Sequence, residues 1–170
     1  MRKRAKTDPA DAQPQKRGKG QPVSLRVRAM RFLARREHSR AELHAKLLPH
    51  VQEGEDVAAV LDELEKRNWL SDARAAEQMA TIKRARFGAQ RIAHELRQKG
   101  IAESLINDAL PHLKETEFDA AREVWQRKFG IPPQDQKEKA RQVRFLQARG
   151  FALDVIFRVL KSSGSAVDTD

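Results

Sequence analysis

Apolar residues recur at intervals of three and four along most of the chain, the spacing that gathers them on one face of an α-helix. Val57, Val60, Leu61 and Leu64 follow this rule. Ile106, Ala109, Leu110 and Leu113 repeat it, and Ile156, Val159 and Leu160 repeat it again, with Ser163 where a fourth apolar residue would fall. The copies lie 49 and then 50 residues apart. The stretch before each copy also matches: Leu43 and Leu47 align with Ile92 and Leu96, and Leu96 aligns with Leu146. Strand-like alternation is scarce. The pattern predicts helices over 24–37, 40–48, 55–68, 72–86, 89–99, 102–112, 116–129, 135–149 and 152–162, in three units at 24–69, 70–113 and 114–162. A unit this short buries its own apolar face poorly, so the predicted fold is all-α: three tandem three-helix repeats stacked into an elongated curved rod, with a core shared between neighbours.

Start and stop signals divide the units. Ser39 and Glu42 have the spacing of a capping box, and Thr116 with Asp119 resembles one. Ser71 and Asp72 suit a helix N-terminus. Gly88, Gly100, Gly130 and Gly150 each follow a helical stretch, where a left-handed residue ends a helix. Pro111 is expected to kink or end its helix before Leu113. The segments "RQKGIAESLINDAL" (97–110) and "QARGFALDVIFRVL" (147–160) place a basic residue and a glycine ahead of the same apolar rhythm. Leu61, Leu110 and Leu160 are expected in the core. Phe32 and Phe145 fall on apolar helix faces, Phe151 packs at a turn, and Trp69 and Trp125 are expected to join units.

Composition adds a partner class. The 170 residues carry a net charge of +10 and no cysteine. The charge points to nucleic acid, an anionic membrane or an acidic protein surface. The lack of cysteine excludes disulfides and thiolate metal sites. No apolar run reaches the roughly 18–20 residues of a membrane span. The basic N-terminus is not followed by the apolar stretch of a signal peptide, so a cytoplasmic, membrane-free protein is expected. Residues 1–22 hold seven Lys and Arg against two Asp, a surplus of five. With almost no large apolar residue, 1–23 is predicted to be a disordered basic tail, and 163–170 a second tail.

Catalytic chemistry is not indicated. No phosphate-binding loop is present, and "GKG" at 18–20 lies in the tail. His38, His44 and His50 are six residues apart, a spacing that does not share a helix face. Acid–base pairs such as Asp62 with Lys66 are ordinary helix-surface pairs. No enzyme activity, metal or cofactor is expected. Basic residues are instead concentrated once per unit, with a single Glu in each of the stretches 24–40, 83–100 and 137–150. Candidate partner- or DNA-binding residues are Arg31, Arg35, Arg84, Arg86, Arg91, Arg97, Lys99, Arg141 and Arg144. Lys99 and Arg149 also have a local explanation, because cations suit a helix C-terminus. Units stacked in register would join the others into a positive stripe that meets phosphates or carboxylates. Few aromatic residues remain to stack on bases, and charge spread over three units does not suit a single recognition helix.

Four segments carry a resemblance: "RAMRFLARREHSRAELHAKL" (28–47), "LDELEKRNWLSDARAAEQM" (61–79), "FGAQRIAHELRQKGI" (87–101) and "ARQVRFLQARGFALDVIFRVL" (140–160). In order, over about 25–161, they resemble the bacterial RecX regulatory proteins. The resemblance implies three tandem three-helix units and a monomer that binds the RecA recombinase filament. It implies restraint of RecA strand exchange, ATP hydrolysis and coprotease activity in recombination and DNA repair, with no enzyme activity. The first unit departs from the pattern, reading "LLPHVQEGEDV" (47–57) where a Lys-Gly turn is expected. The competing class is a sequence-nonspecific nucleic-acid-binding protein; weak, nonspecific affinity for single- or double-stranded DNA is also compatible with the filament reading.

Overall fold

The computed structural model describes residues 23–164. These contain nine α-helices and no strand: α1 (Leu25–Leu33), α2 (Arg40–Leu47), α3 (Val57–Lys66), α4 (Asp72–Lys83), α5 (Ala89–Gln98), α6 (Glu103–Glu115), α7 (Glu117–Lys128), α8 (Gln136–Gln147) and α9 (Leu153–Gly164). A single 3-10 turn, Leu48–His50, follows α2. The helices form three tandem three-helix units, α1–α3, α4–α6 and α7–α9, stacked in series. The expected tail 1–23 lies outside the described residues except for Val23. The C-terminal tail expected from 163 begins two residues inside α9, and 165–170 lie outside the described residues.

The core is not shared between neighbours as expected. Each unit closes around its own cluster: Leu25, Leu43, Leu47, Leu61 and Leu64 in the first, Ile92, Leu96, Ile101 and Ile106 in the second, Leu146, Phe151, Ile156 and Val159 in the third. Three short helices crossing one another enclose enough apolar surface on their own. The units therefore meet through polar and backbone contacts. The predicted rhythm lies on the buried faces, although Val60, Ala109 and Leu110 are only half-buried, Leu110 at the edge of the second core.

Neither tryptophan joins units. Trp125 is 3 % exposed inside the third core, where its Nε1 donates to Gln142 Oε1 at 2.7 Å. Trp69 is 40 % exposed and carries the guanidinium groups of Arg26 and Arg67, both of its own unit. Phe32 and Phe145 pack half-buried against the first and third cores.

Gly100, Gly130 and Gly150 adopt the expected left-handed conformation at φ of 72°, 66° and 79°. Gly88 does not: at φ −75° it is the N-cap of α5, placed there because the turn of the third unit leaves no room for a side chain. Asn68 takes the left-handed position after α3 that glycine takes elsewhere. Ser39 and Ser71 cap their helices, their Oγ atoms accepting from the amides of Glu42 at 3.1 Å and Arg74 at 3.3 Å, but the Glu42 carboxylate does not close the expected capping box and pairs with Arg36 and Lys99 instead. Thr116 provides no side-chain cap; its hydroxyl instead donates to the carbonyls of His112 and Leu113 behind it. Pro111 neither ends α6 nor stops Leu113 from being buried. The proline removes one amide from the helix ladder, and burial of Ile106 and Leu113 on either side holds the helix across that gap.

Candidate partner-binding surface

The same joint is built twice. At the first, the N-cap of α2 meets the turn after α5: Ser39 Oγ donates to the Lys99 carbonyl at 2.5 Å. At the second, the N-cap of α5 meets the turn after α8: the Gly88 amide donates to the Arg149 carbonyl at 2.9 Å. In both, the glycine that follows the accepting carbonyl lies against the first turn of the preceding unit's helix. A Cβ on Gly100 would stand 2.5 Å from Ala41 Cβ, and one on Gly150 would stand 2.6 Å from the Arg91 nitrogen. The following unit also caps the preceding unit's second helix with a carboxylate. Asp72 Oδ1 accepts from the Arg40 amide at 2.7 Å. Glu117 Oε1 accepts from the Ala89 amide at 3.3 Å and the Ala152 amide at 3.2 Å. The fixed +N-terminal charge of a helix and its unpaired amides explain why an acid is held there.

Glu117 is 5 % exposed, and burial pushes its pKa up, opposed by the two amides. Glu42 goes the other way. Burial disfavours its charge, yet hydrogen bonds from Arg36 and Lys99 lower its pKa from 4.5 to about 2. Lys99 Nζ stands 3.1 Å from Glu42 across the joint, and Arg74 Nε donates to Glu37 Oε1 at 2.8 Å beside it. His38, buried at the same joint with Nδ1 3.0 Å from the Arg36 carbonyl, has its pKa lowered chiefly by burial.

These contacts divide the nine sequence-selected cations. Arg91 and Lys99 share one shallow depression on α5, and both are engaged at joints. Arg91 pairs with Glu95 at 3.3 Å, donates to the Ala148 carbonyl at 3.2 Å and lies 4.2 Å from the Phe87 ring centre. Arg97 faces a different groove and pairs with Glu103 at 2.6 Å. Arg84 lines the cleft between α4 and α6, 3.4 Å from His112 Nε2. Arg86 sits at the second joint with Arg149. Arg141 lies 5.9 Å over Phe129. Arg31, Arg35 and Arg144 are exposed, and their side chains have no partner among the described residues. The cations thus occupy several surfaces. Sequence reasoning passed over Arg127 and Lys128 at the end of α7, and assigned Arg149 to the helix dipole; all three line a groove with Arg86. Arg127 has a local partner in Glu123, and nothing in the sequence around α7 shows that its end faces Arg86 and Arg149.

Among the described residues no group of His, Asp and Glu could hold a metal ion, and no helix is long and apolar enough to cross a membrane. Three tandem three-helix units joined by repeated contacts define a helical-repeat protein. Family models for the first, second and third three-helix domains of RecX match residues 26–64, 71–110 and 115–160. The regulatory protein RecX of Leptothrix cholodnii is 47 % identical over 148 residues, 87 % of this chain and 94 % of that protein. That of Ralstonia nicotianae is 42 % identical over 148 residues, 87 % of this chain and 93 % of that protein. A crystal structure of RecX from Lactobacillus salivarius superposes with a TM-score of 0.69 at 15 % identity, covering 83 % of this chain and 95 % of that one. A crystal structure of a regulatory protein RecX gives 0.67 at 23 % identity, over 81 % and 71 %. Both share the fold. The chain belongs to the RecX family of regulatory proteins.

Proposed function

We propose that this protein binds the RecA recombinase filament and inhibits its strand exchange, ATP hydrolysis and coprotease activity, so restraining recombination and DNA repair. Family membership across all three units carries the reading. A series of jointed units suits a helical polymer, because successive units can meet successive protomers. Arg31 and Arg35 in the first unit and Arg144 in the third supply charge that the fold does not use. Their field raises the encounter rate with an acidic filament surface more than the final affinity. The test is RecA ATP hydrolysis on single-stranded DNA during titration with the protein. Turnover should fall at concentrations that leave most of the DNA uncoated. Turnover that falls only as the DNA becomes saturated would assign the effect to nonspecific DNA binding.

A further inference from the structure

The two joints carry corresponding grooves with different charge balance. The first, about 290 Å³, includes Met79, Ile82 and Lys83 of α4, Lys99 after α5, and Arg36 and Glu42 of the first unit. The second, about 250 Å³, is lined by Val124, Arg127 and Lys128 of α7, Phe145 and Arg149 of the α8 region, and Arg86 of the second unit. Val124, Arg127 and Lys128 stand 45 residues after Met79, Ile82 and Lys83, the same offset that relates the core residues Ala76 and Ala121. Arg149 stands 50 after Lys99.

In the first groove the cations are neutralised. Lys83 pairs with Glu95, while Arg36 and Lys99 both pair with Glu42. In the second, both acids are replaced: Glu95 aligns with Phe145, and Glu42 aligns with Arg91. Ile82 is replaced by Arg127. Four cations therefore line the second groove. Among the described residues, the one carboxylate paired with any of them is Glu123, 3.5 Å from Arg127 and 70 % exposed. The fold repeats the joint but leaves this copy with surplus positive charge.

The geometry points to a phosphodiester-binding site at the second joint, in which Arg86, Arg127, Lys128 and Arg149 hold the backbone of a nucleic-acid strand. The donors come from two units. A phosphate presents oxygens in several directions and can meet both walls, whereas a carboxylate accepts mainly in one plane. The Arg149 guanidinium lies 3.8 Å from the Phe145 ring centre, and Phe129 packs edge-on to the same ring at 5.1 Å. The ring is thus occupied and offers no platform for a base. Recognition is of backbone charge and is independent of sequence. A strand seated there touches the second and third units together and fixes the joint between them.

The site goes beyond the filament reading, and its test uses free DNA, so either can fail alone. Arg86→Gln/Lys128→Gln removes two groove cations whose side chains contact only aromatic rings in the fold. Arg36→Gln/Lys83→Gln removes the same charge from the neutralised groove. Binding of labelled oligothymidylate to the full chain is followed by fluorescence anisotropy across a salt series, with circular dichroism confirming folding. The first variant should bind several-fold more weakly, with a log K against log salt slope shallower by about 1.4, two contacts at about 0.7 each. The second should keep the parental slope. Equal losses in both variants, or none in the first, would overturn the site. So would a first variant that binds DNA normally but no longer binds RecA filament, which would make the groove a carboxylate site on a protein partner. Inorganic phosphate should compete no better than chloride at matched ionic strength; displacement of DNA by phosphate at low concentration would mark a free-anion site and overturn the strand assignment.

Discussion

Gly150 lies so close to Arg91 that a Cβ on the glycine would stand 2.6 Å from the arginine's backbone nitrogen. Its φ is 79°, a conformation that already disfavours any side chain. Gly150→Ala therefore meets two penalties, about 1 kcal/mol for the backbone and a further 1–3 kcal/mol for overpacking at the joint. Gly54→Ala separates them, since Gly54 has φ 80° but nothing within 4 Å of its added Cβ. Thermal melting should show a clearly larger loss for Gly150→Ala. Equal losses would mean that the joint opens without cost.

Glu117 gives a pH signature at the same joint. Its folded pKa is raised by burial, so the folded state holds this proton more tightly than the unfolded state. Its contribution is greatest below the unfolded value and declines as pH rises through the folded one. Glu117→Gln, which keeps an acceptor for both amides and cannot ionise, should gain stability relative to the parent as pH rises from about 4 to 7. Glu117→Ala leaves two amides without an acceptor and should cost about 1–3 kcal/mol. Denaturant unfolding across this range checks both. A Gln variant that loses ground to the parent as pH rises would reverse the sign.

At the first joint the sign is opposite. Glu42 falls from 4.5 to about 2, opposed by burial and driven by Arg36 and Lys99. The stability it contributes is present above 4.5 and disappears as pH falls towards 2. The parent should exceed Glu42→Gln in unfolding free energy at neutral pH, and the gap should close over that acid interval. A gap that is constant with pH would show that the carboxylate charge is not what holds the units.

Leu61 is 1 % exposed, whereas Leu110 is only half-buried. Leu61→Ala should cost about 2–5 kcal/mol. Leu110→Ala should cost about 1–2 kcal/mol, in proportion to the smaller apolar area removed. Equilibrium unfolding that ranks Leu110→Ala above Leu61→Ala would contradict this packing.

The helices and their buried faces were legible because the three-and-four spacing is a local property, and three copies of it reinforced one another. Ser39, Ser71, Gly100 and Gly150 were legible for the same reason. The second use of those glycines was hidden: Gly100 meets Ala41, and Gly150 meets Arg91, each 59 residues upstream. A left-handed helix stop and a close approach demand the same residue, so the sequence signal reveals only one of them. Charge was misread by the same logic. Arg91 has a local partner in Glu95, but its bond to Ala148 and that of Lys99 to Glu42 join residues distant in the chain. Arg127 has Glu123 four residues before it, an ordinary helix-surface pair, although the end of α7 faces Arg86 and Arg149. Separate cores leave Trp125 inside the third unit and Trp69 on the surface of the first, so neither stands between units.

The central claim is that this protein restrains RecA by binding its filament. RecA-driven strand exchange between a single-stranded circle and a homologous linear duplex, titrated with the full chain, tests it most directly. Parent and Arg31→Glu/Arg35→Glu/Arg144→Glu, a variant chosen because the fold does not use these side chains, should be compared at equal helicity. The parent should abolish joint-molecule formation at protein levels well below those that coat the DNA, and the variant should need far more. Strand exchange that proceeds unhindered until the DNA itself is saturated would contradict the account.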